Sequence, residues 1–168
     1  PKAPSWGARR MVEEGVIEKF GIQSIFGVHV MSNAHSGEIQ YKVGAALNSA
    51  DGFRIKLEGK QAHGAMPWTG ADPIVASANV INGMQTLVSR RANLSQGMGV
   101  VTVGSIHGGT AGNIVTGEVT MEGTIRSNSP EIRETLTSAL PQLVTQTAEA
   151  QQVHAHVHVA KIMPVTMN

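Results

Sequence analysis

Hydrophobic and polar positions alternate most clearly from Asp51 onward, where Phe53, Ile55 and Leu57 interleave with Arg54, Lys56 and Glu58. That period of two predicts a strand with one buried face. Ile74, Ala78, Ile81, Met84 and Val88 then recur at helical spacing and close on Arg90-Arg91. The helix opens behind Asp72-Pro73, an N-cap acceptor followed by a proline whose missing N–H costs nothing at the first helical position. Two further strands are expected at Gly99 to Ile106 and Glu118 to Ser127, the second with Val119, Met121 and Ile125 on one face. A second helix starts at Ser129-Pro130-Glu131 and carries Ile132, Leu136, Leu140, Leu143 and Val144 on one side. Pro141 lies inside it and predicts a kink or break, since an interior proline costs about 3 kcal/mol. A last strand runs from Val153 to Ile162. The order β-α-β-β-α-β, with right-handed crossovers, predicts an α+β ferredoxin-like sandwich: a four-stranded antiparallel sheet with two helices on one face and the other face open.

The preceding residues follow no closed pattern. Ala8, Met11, Val12 and Val16 predict a short helix within residues 7 to 20, and QSIFGVHV, Gln23 to Val30, predicts a strand buried on both faces. One helix and one strand cannot bury a core, so this part is expected to be an incomplete α/β segment. The expected organisation is residues 1–47 as that segment, 48–162 as the sandwich, and 163–168 as a strand returning toward the first part. The chain opens Pro-Lys-Ala-Pro without an initiator methionine and stops just after a strand-like run, as a domain excised from a longer protein would.

Composition narrows the function classes. Hydrophobic residues make up 41% of the 168 and charged ones 15%, a balance that supports a packed core rather than disorder. A formal net charge of +1 gives no electrostatic case for nucleic acid or a membrane surface. Cysteine is absent, which removes disulfides and thiolate metal ligands and fits a reducing, cytoplasmic setting. No window approaches the roughly 20 apolar residues of a membrane span.

Against that background a few residues stand out as candidate chemistry. The loop GKQAHGAMP, Gly59 to Pro67, displays His63 among glycines and small residues between a half-buried strand and a capped helix, where it is placed to meet a ligand or partner. His29 ends the apolar run of the first part. Asn113, in the glycine-rich segment HGGTAGNIVTG, and Arg126, near the end of its strand on the face opposite the core, are an amide and a guanidinium suited to a carbonyl oxygen and a carboxylate. Glu13-Glu14 resembles an acid pair, but its place in the last turn of a short helix fits a solvated charged face. His154, His156 and His158 share one strand face, which outer strand positions explain without a metal.

The succession IFGVHV, GKQAHGAMP, ADPIVASANVI, SRR, VVTVGSIHGGTAGNIV and EGTIRS resembles the M20 family of metallopeptidases and amidohydrolases, within it the aminoacylase, hippurate-hydrolase and auxin-conjugate-hydrolase branch. The resemblance implies a lid and dimerisation domain over residues 48–162, inserted in a catalytic α/β domain to which residues 1–47 belong. It implies two divalent metal ions in the parent, zinc or manganese, and hydrolysis of N-acyl amino acids or similar small amides by metal-activated water. His29 matches a metal ligand. His63 matches the lid histidine that polarises the scissile carbonyl in the opposite subunit of a homodimer, with Gly99 to Ile106 the expected dimer strand. Asn113 and Arg126 match residues that hold the substrate's carbonyl and carboxylate. The family's catalytic Glu-Glu-Gly and its other metal ligands have no counterpart here, so the chain alone is expected to bind no metal and to be inactive. NIVTG departs from the more usual Asn-Val-Ile-Pro-Asp at Thr116 and Gly117. The competing reading is a free-standing ferredoxin-like binding module, a small-molecule sensor or an RNA binder, although one tyrosine and three phenylalanines are few for the second.

Overall fold

A computed structural model describes residues 7–168, which divide after Tyr41 into two compact units. The expectations that fall on Pro1 to Trp6 lie outside the described residues. In the first unit the expected single helix is two, α1 (Gly7–Glu13) and α2 (Val16–Lys19). They are separated at Gly15, whose φ of 78° belongs to the left-handed region that glycine enters freely. Glu13 and Glu14 pair with Arg9 and Arg10 one turn back, each at 2.9 Å and exposed, as a solvated helix face does. The strand expected at Gln23 to Val30 does not form: this stretch has no regular structure, and Phe26 and Val28 are more than nine-tenths exposed. A strand needs a neighbour to satisfy its backbone, and the described residues of this unit contain none.

The second unit is the α+β sandwich. In chain order it contains β1 (Ala45–Leu47), β2 (Ala50–Glu58), β3 (Ala62–His63), α3 (Pro73–Thr86), β4 (Gly99–Gly108), β5 (Ile114–Val115), β6 (Glu118–Ser127), α4 (Pro130–Glu149), β7 (His154–Met163) and β8 (Thr166–Met167). The main sheet is antiparallel in the order β4-β6-β2-β7, so β4 and β7 are its edges. Phe53, Ile55 and Leu57 of β2 and Val119, Met121 and Ile125 of β6 face the helices and are buried with Val80, Met84, Leu136, Leu140 and Val144. β1 and β8 form a separate two-stranded ribbon, closed by reciprocal bonds between Gly44 and Asn168.

Two helix expectations are corrected. Helix α3 buries Pro73, Ala76, Ser77, Val80 and Met84, followed by Leu87 in a wider π-type turn, whereas Ile74 is exposed and Ile81 and Val88 only half-buried. The helix is small or apolar almost all round, so a second phase fits the same spacing. Asp72 does cap it, accepting from Ile74 N at 2.9 Å and Val75 N at 3.3 Å. The break expected at Pro141 does not occur: helix α4 runs as one helix of 20 residues through it. Leu136, Leu140, Val144 and Ala148 are buried on both sides of the proline, and burial of about 1.5–3 kcal/mol for each large side chain outweighs its cost of roughly 3 kcal/mol.

At one end of the sheet a polar cluster joins four segments. Asp51 follows the phase of the buried row and its side chain is fully buried. Its carboxylate accepts two bonds of 2.7 Å from Arg133 of α4. It also accepts the N–H of Ile162 at 2.9 Å, the residue left over where the β2–β7 register shifts. Ser49 and Ser127 exchange bonds of 2.7 and 3.1 Å beside it. Burial raises the Asp51 pKa, but Arg133 and the Ile162 amide prevail and hold the carboxyl below its ordinary 3.8. A depressed carboxylate stabilises the fold fully above its unfolded pKa and loses that contribution as pH falls through the folded value. Chemical denaturation of the Arg133→Met variant is therefore expected to show a loss of about 3–5 kcal/mol near neutral pH, because the buried anion is left unpaired. Most of the loss should return in Asp51→Asn/Arg133→Met, and the gap between wild type and Arg133→Met should close below about pH 4.

Candidate functional site

Beyond Glu58 the chain leaves the sheet as an arm that carries His63. Gly59 N bonds to Gly117 O at 2.9 Å, and Lys60 and Ala71 exchange backbone bonds of 2.9 and 3.0 Å, so the arm is tied at its base on both sides. Its outer part pairs with the glycine-rich segment before β6: Ala62 faces Val115 and His63 faces Ile114 in the short β3–β5 ribbon. Gly64 N donates to Asn113 O at 2.8 Å. The contact needs glycine, because a Cβ at position 64 would stand 2.9 Å from the Asn113 carbonyl carbon and oxygen. This ribbon, which brings His63 and Asn113 into one exposed unit, has no sequence signal, since two-residue strands show no period.

The His63 ring is oriented by its own loop. Ala65 N donates to His63 Nδ1 at 3.0 Å. A nitrogen that accepts carries no proton, so the neutral ring holds its proton on Nε2 and presents an N–H donor outward. Such a donor can polarise a carbonyl or stabilise an oxyanion.

Arg126 is at the other end of β6 from that ribbon. It is half-buried, and its Nη1 donates to the carbonyls of Asp51 and Ile125, each at 3.1 Å. It stands eight residues along the extended strand from Glu118, about 26 Å at roughly 3.3 Å per residue. Within one chain, His63 and Asn113 are thus brought together and Arg126 is not.

His29, in the first unit, is exposed. Its Nδ1 lies 2.7 Å from Val30 O, and a carbonyl only accepts, so Nδ1 carries a proton and Nε2 is left with the lone pair a ligand needs. Among the described residues, no three His, Asp or Glu side chains converge to hold a metal ion. The exposed histidines of β7 follow the solvated reading: His154 and His156 meet edge to face at 4.6 Å, and His156 Nε2 lies 3.1 Å from Glu58 Oε2. Lys56 first, then His156, lowers the Glu58 pKa.

The second unit is thus an antiparallel sandwich that carries His63 and Asn113 beyond one end of β6 and Arg126 near the other. Residues 45–152 match the peptidase dimerisation domain of the M20 group, and the chain belongs to that family. It is 33% identical over 151 residues to N-acetyl-L-cysteine deacetylase of Bacillus subtilis, covering 90% of this chain and 36% of that protein. It is 31% identical over 162 residues to hippurate hydrolase of Campylobacter jejuni, covering 96% of this chain and 42% of the relative. The solved structure of a Bacillus subtilis dinuclear metal-binding peptidase from the M20 family superposes with a TM-score of 0.71 at 27% identity, over 96% of this chain and 38% of that one. The chain thus spans about two-fifths of each.

The Gly64→Ala variant is expected to part the β3–β5 ribbon while leaving the sandwich intact. Amide exchange should speed up at Gly64, whose N–H is held by Asn113 O, and remain slow across β2 and β6.

Proposed function

We propose that the chain is the lid and dimerisation part of a metal-dependent amidohydrolase acting on N-acyl amino acids or similar small amide conjugates. The observation that carries this reading is the separation of His63 and Asn113 from Arg126 by about 26 Å of strand β6. An N-acyl amino acid has its amide carbonyl and its carboxylate only a few bonds apart, so no single lid can touch both ends. Two lids in a dimer can: Arg126 of one chain holds the carboxylate while His63 of the other, through Nε2–H, polarises the scissile carbonyl beside Asn113. The names of the relatives support an acyl-amino-acid substrate.

Dimerisation is assigned to β4. It is an edge strand with Val100 and Ile106 exposed, and a shallow groove lined by Gln85, Val88, Ser89, Gly99, Val100 and Val101 lies against its first residues. Antiparallel pairing with a second copy would satisfy its free backbone groups and continue the sheet.

Two divalent ions, zinc or manganese, belong to the proposed parent enzyme. The residues described here do not form a seat for them, and His29 offers a single ligand. What this chain supplies is therefore orientation and charge stabilisation by His63, Asn113 and Arg126.

Expressed alone, the 168-residue chain should sediment as a dimer and release no amino acid from N-acyl substrates with added zinc or manganese. Clear turnover would contradict the reading. In the full-length enzyme, His63→Ala should lower kcat by about a hundredfold to a thousandfold with metal content unchanged. A mixture refolded from full-length His63→Ala and Arg126→Ala chains should regain activity, because in each mixed dimer one site receives both native residues. Failure of the mixture to exceed its components would place His63 and Arg126 in the same subunit's site.

A further inference from the structure

We propose that Asp51 and Arg133 are positioning residues for Arg126, and through it for the carboxylate end of the substrate; this rests on the reading of Arg126 given above. Bidentate recognition of a carboxylate requires the guanidinium plane to be fixed in advance. Arg126 is fixed through Nη1, which donates to Asp51 O and Ile125 O at 3.1 Å each. Its Nη2 and Nε have no hydrogen-bond partner among the described residues and are left for a ligand.

The Asp51 carbonyl can serve as an anchor because its residue is itself immobilised. The side chain is fully buried, gripped at 2.7 Å twice by Arg133, and bonded to Ile162 N at 2.9 Å. The same contacts settle a competition of charge. Arg126 lies within electrostatic reach of the Asp51 carboxylate, and attraction between unit charges grows steeply as water is excluded. A buried Asp51 without Arg133 would draw on Arg126 and oppose its attraction to a substrate carboxylate. With Arg133 paired, the anion is neutralised and Arg126 keeps its charge for the ligand. Arg133 touches no substrate in this arrangement, yet it decides how available Arg126 is.

The test is steady-state kinetics of the full-length enzyme on an N-acyl amino acid and on the matching amino-acid amide, which lacks the carboxylate. Arg133→Met, assayed well below its melting temperature, should raise KM for the acid about tenfold, the worth of one charge-assisted contact, with kcat within about twofold. KM for the amide should not follow. Arg133→Lys should fall between, and Asp51→Asn/Arg133→Met should recover most of the KM, since asparagine still accepts the Ile162 N–H and carries no charge. An equal rise for acid and amide, an unchanged KM, or a double variant as impaired as the single one would overturn the proposal. Should Arg133→Met not fold, the comparison of Arg133→Lys with the double variant decides in the same way. Should Arg126→Ala itself leave the preference for acid over amide intact, it is the role of Arg126 that fails, and the proposal with it.

Discussion

Everything placed on this domain depends on the pairing of β2 with β6. These are the two inner strands, and their register is fixed where the Phe53 ring lies over Gly123: a Cβ there would come within 2.3 Å of the ring and 2.1 Å of the Thr102 carbonyl. A slip by one residue would turn Arg54, Lys56 and Glu58 into the core and expel Phe53, Ile55 and Leu57. It would also move the arm that follows β2 against the segment that precedes β6, separating Gly64 from Asn113. At the far end it would carry Asp51 away from Ile125 and remove the carbonyl that holds Arg126. The register of this one strand pair therefore governs the geometry of both ends.

The open face adds little stability. Arg54 pairs with Glu122, Lys56 with Glu58 and Glu118, and His156 with Glu58, all on side chains at least two-fifths exposed. Exposed, solvent-screened pairs of this kind contribute little. Their effect is to keep the face wetted. A charged, hydrated face is a poor partner for another sheet, whereas the β4 edge proposed for pairing exposes Val100 and Ile106. The other edge, β7, presents three histidines and Lys161.

How much of this was legible in the sequence follows from the length of each pattern. The alternation of β2 and β6 and the capped starts of α3 and α4 were long enough to specify the sandwich. His63, Asn113 and Arg126 could be singled out, but nothing in their spacing reveals that two share a ribbon and the third is a strand's length away. The ribbon rests on two-residue strands and one glycine contact. The phase of α3 was ambiguous because Ala76, Ser77, Ala78 and Gly83 leave little contrast between its faces. The apolar run before His29 carries a strand's composition, but composition cannot supply the neighbour that a strand requires. Asp51 did leave a trace: it falls in step with Phe53, Ile55 and Leu57, and a carboxylate in a buried phase demands a cation. Arg133, beside the buried Ile132, was the residue to pair with it.

The two ends of the sheet also differ in how they are tethered. At the Arg126 end the chain enters and leaves side by side, through Ser49 bonded to Ser127 and through the β1–β8 ribbon closed at Gly44 and Asn168. His63 stands at the opposite end, on an arm braced only by its own domain: Gly117, Ala71 and Asn113 supply its backbone partners. An arm so placed is stiff, because each of its bends is hydrogen-bonded, and it is unencumbered by the chain crossings. Under the proposed function that stiffness matters, since a donor that must be ordered at the moment of reaction loses much of its advantage. Under the proposed function, the anchored end carries Arg126 and the free end carries His63.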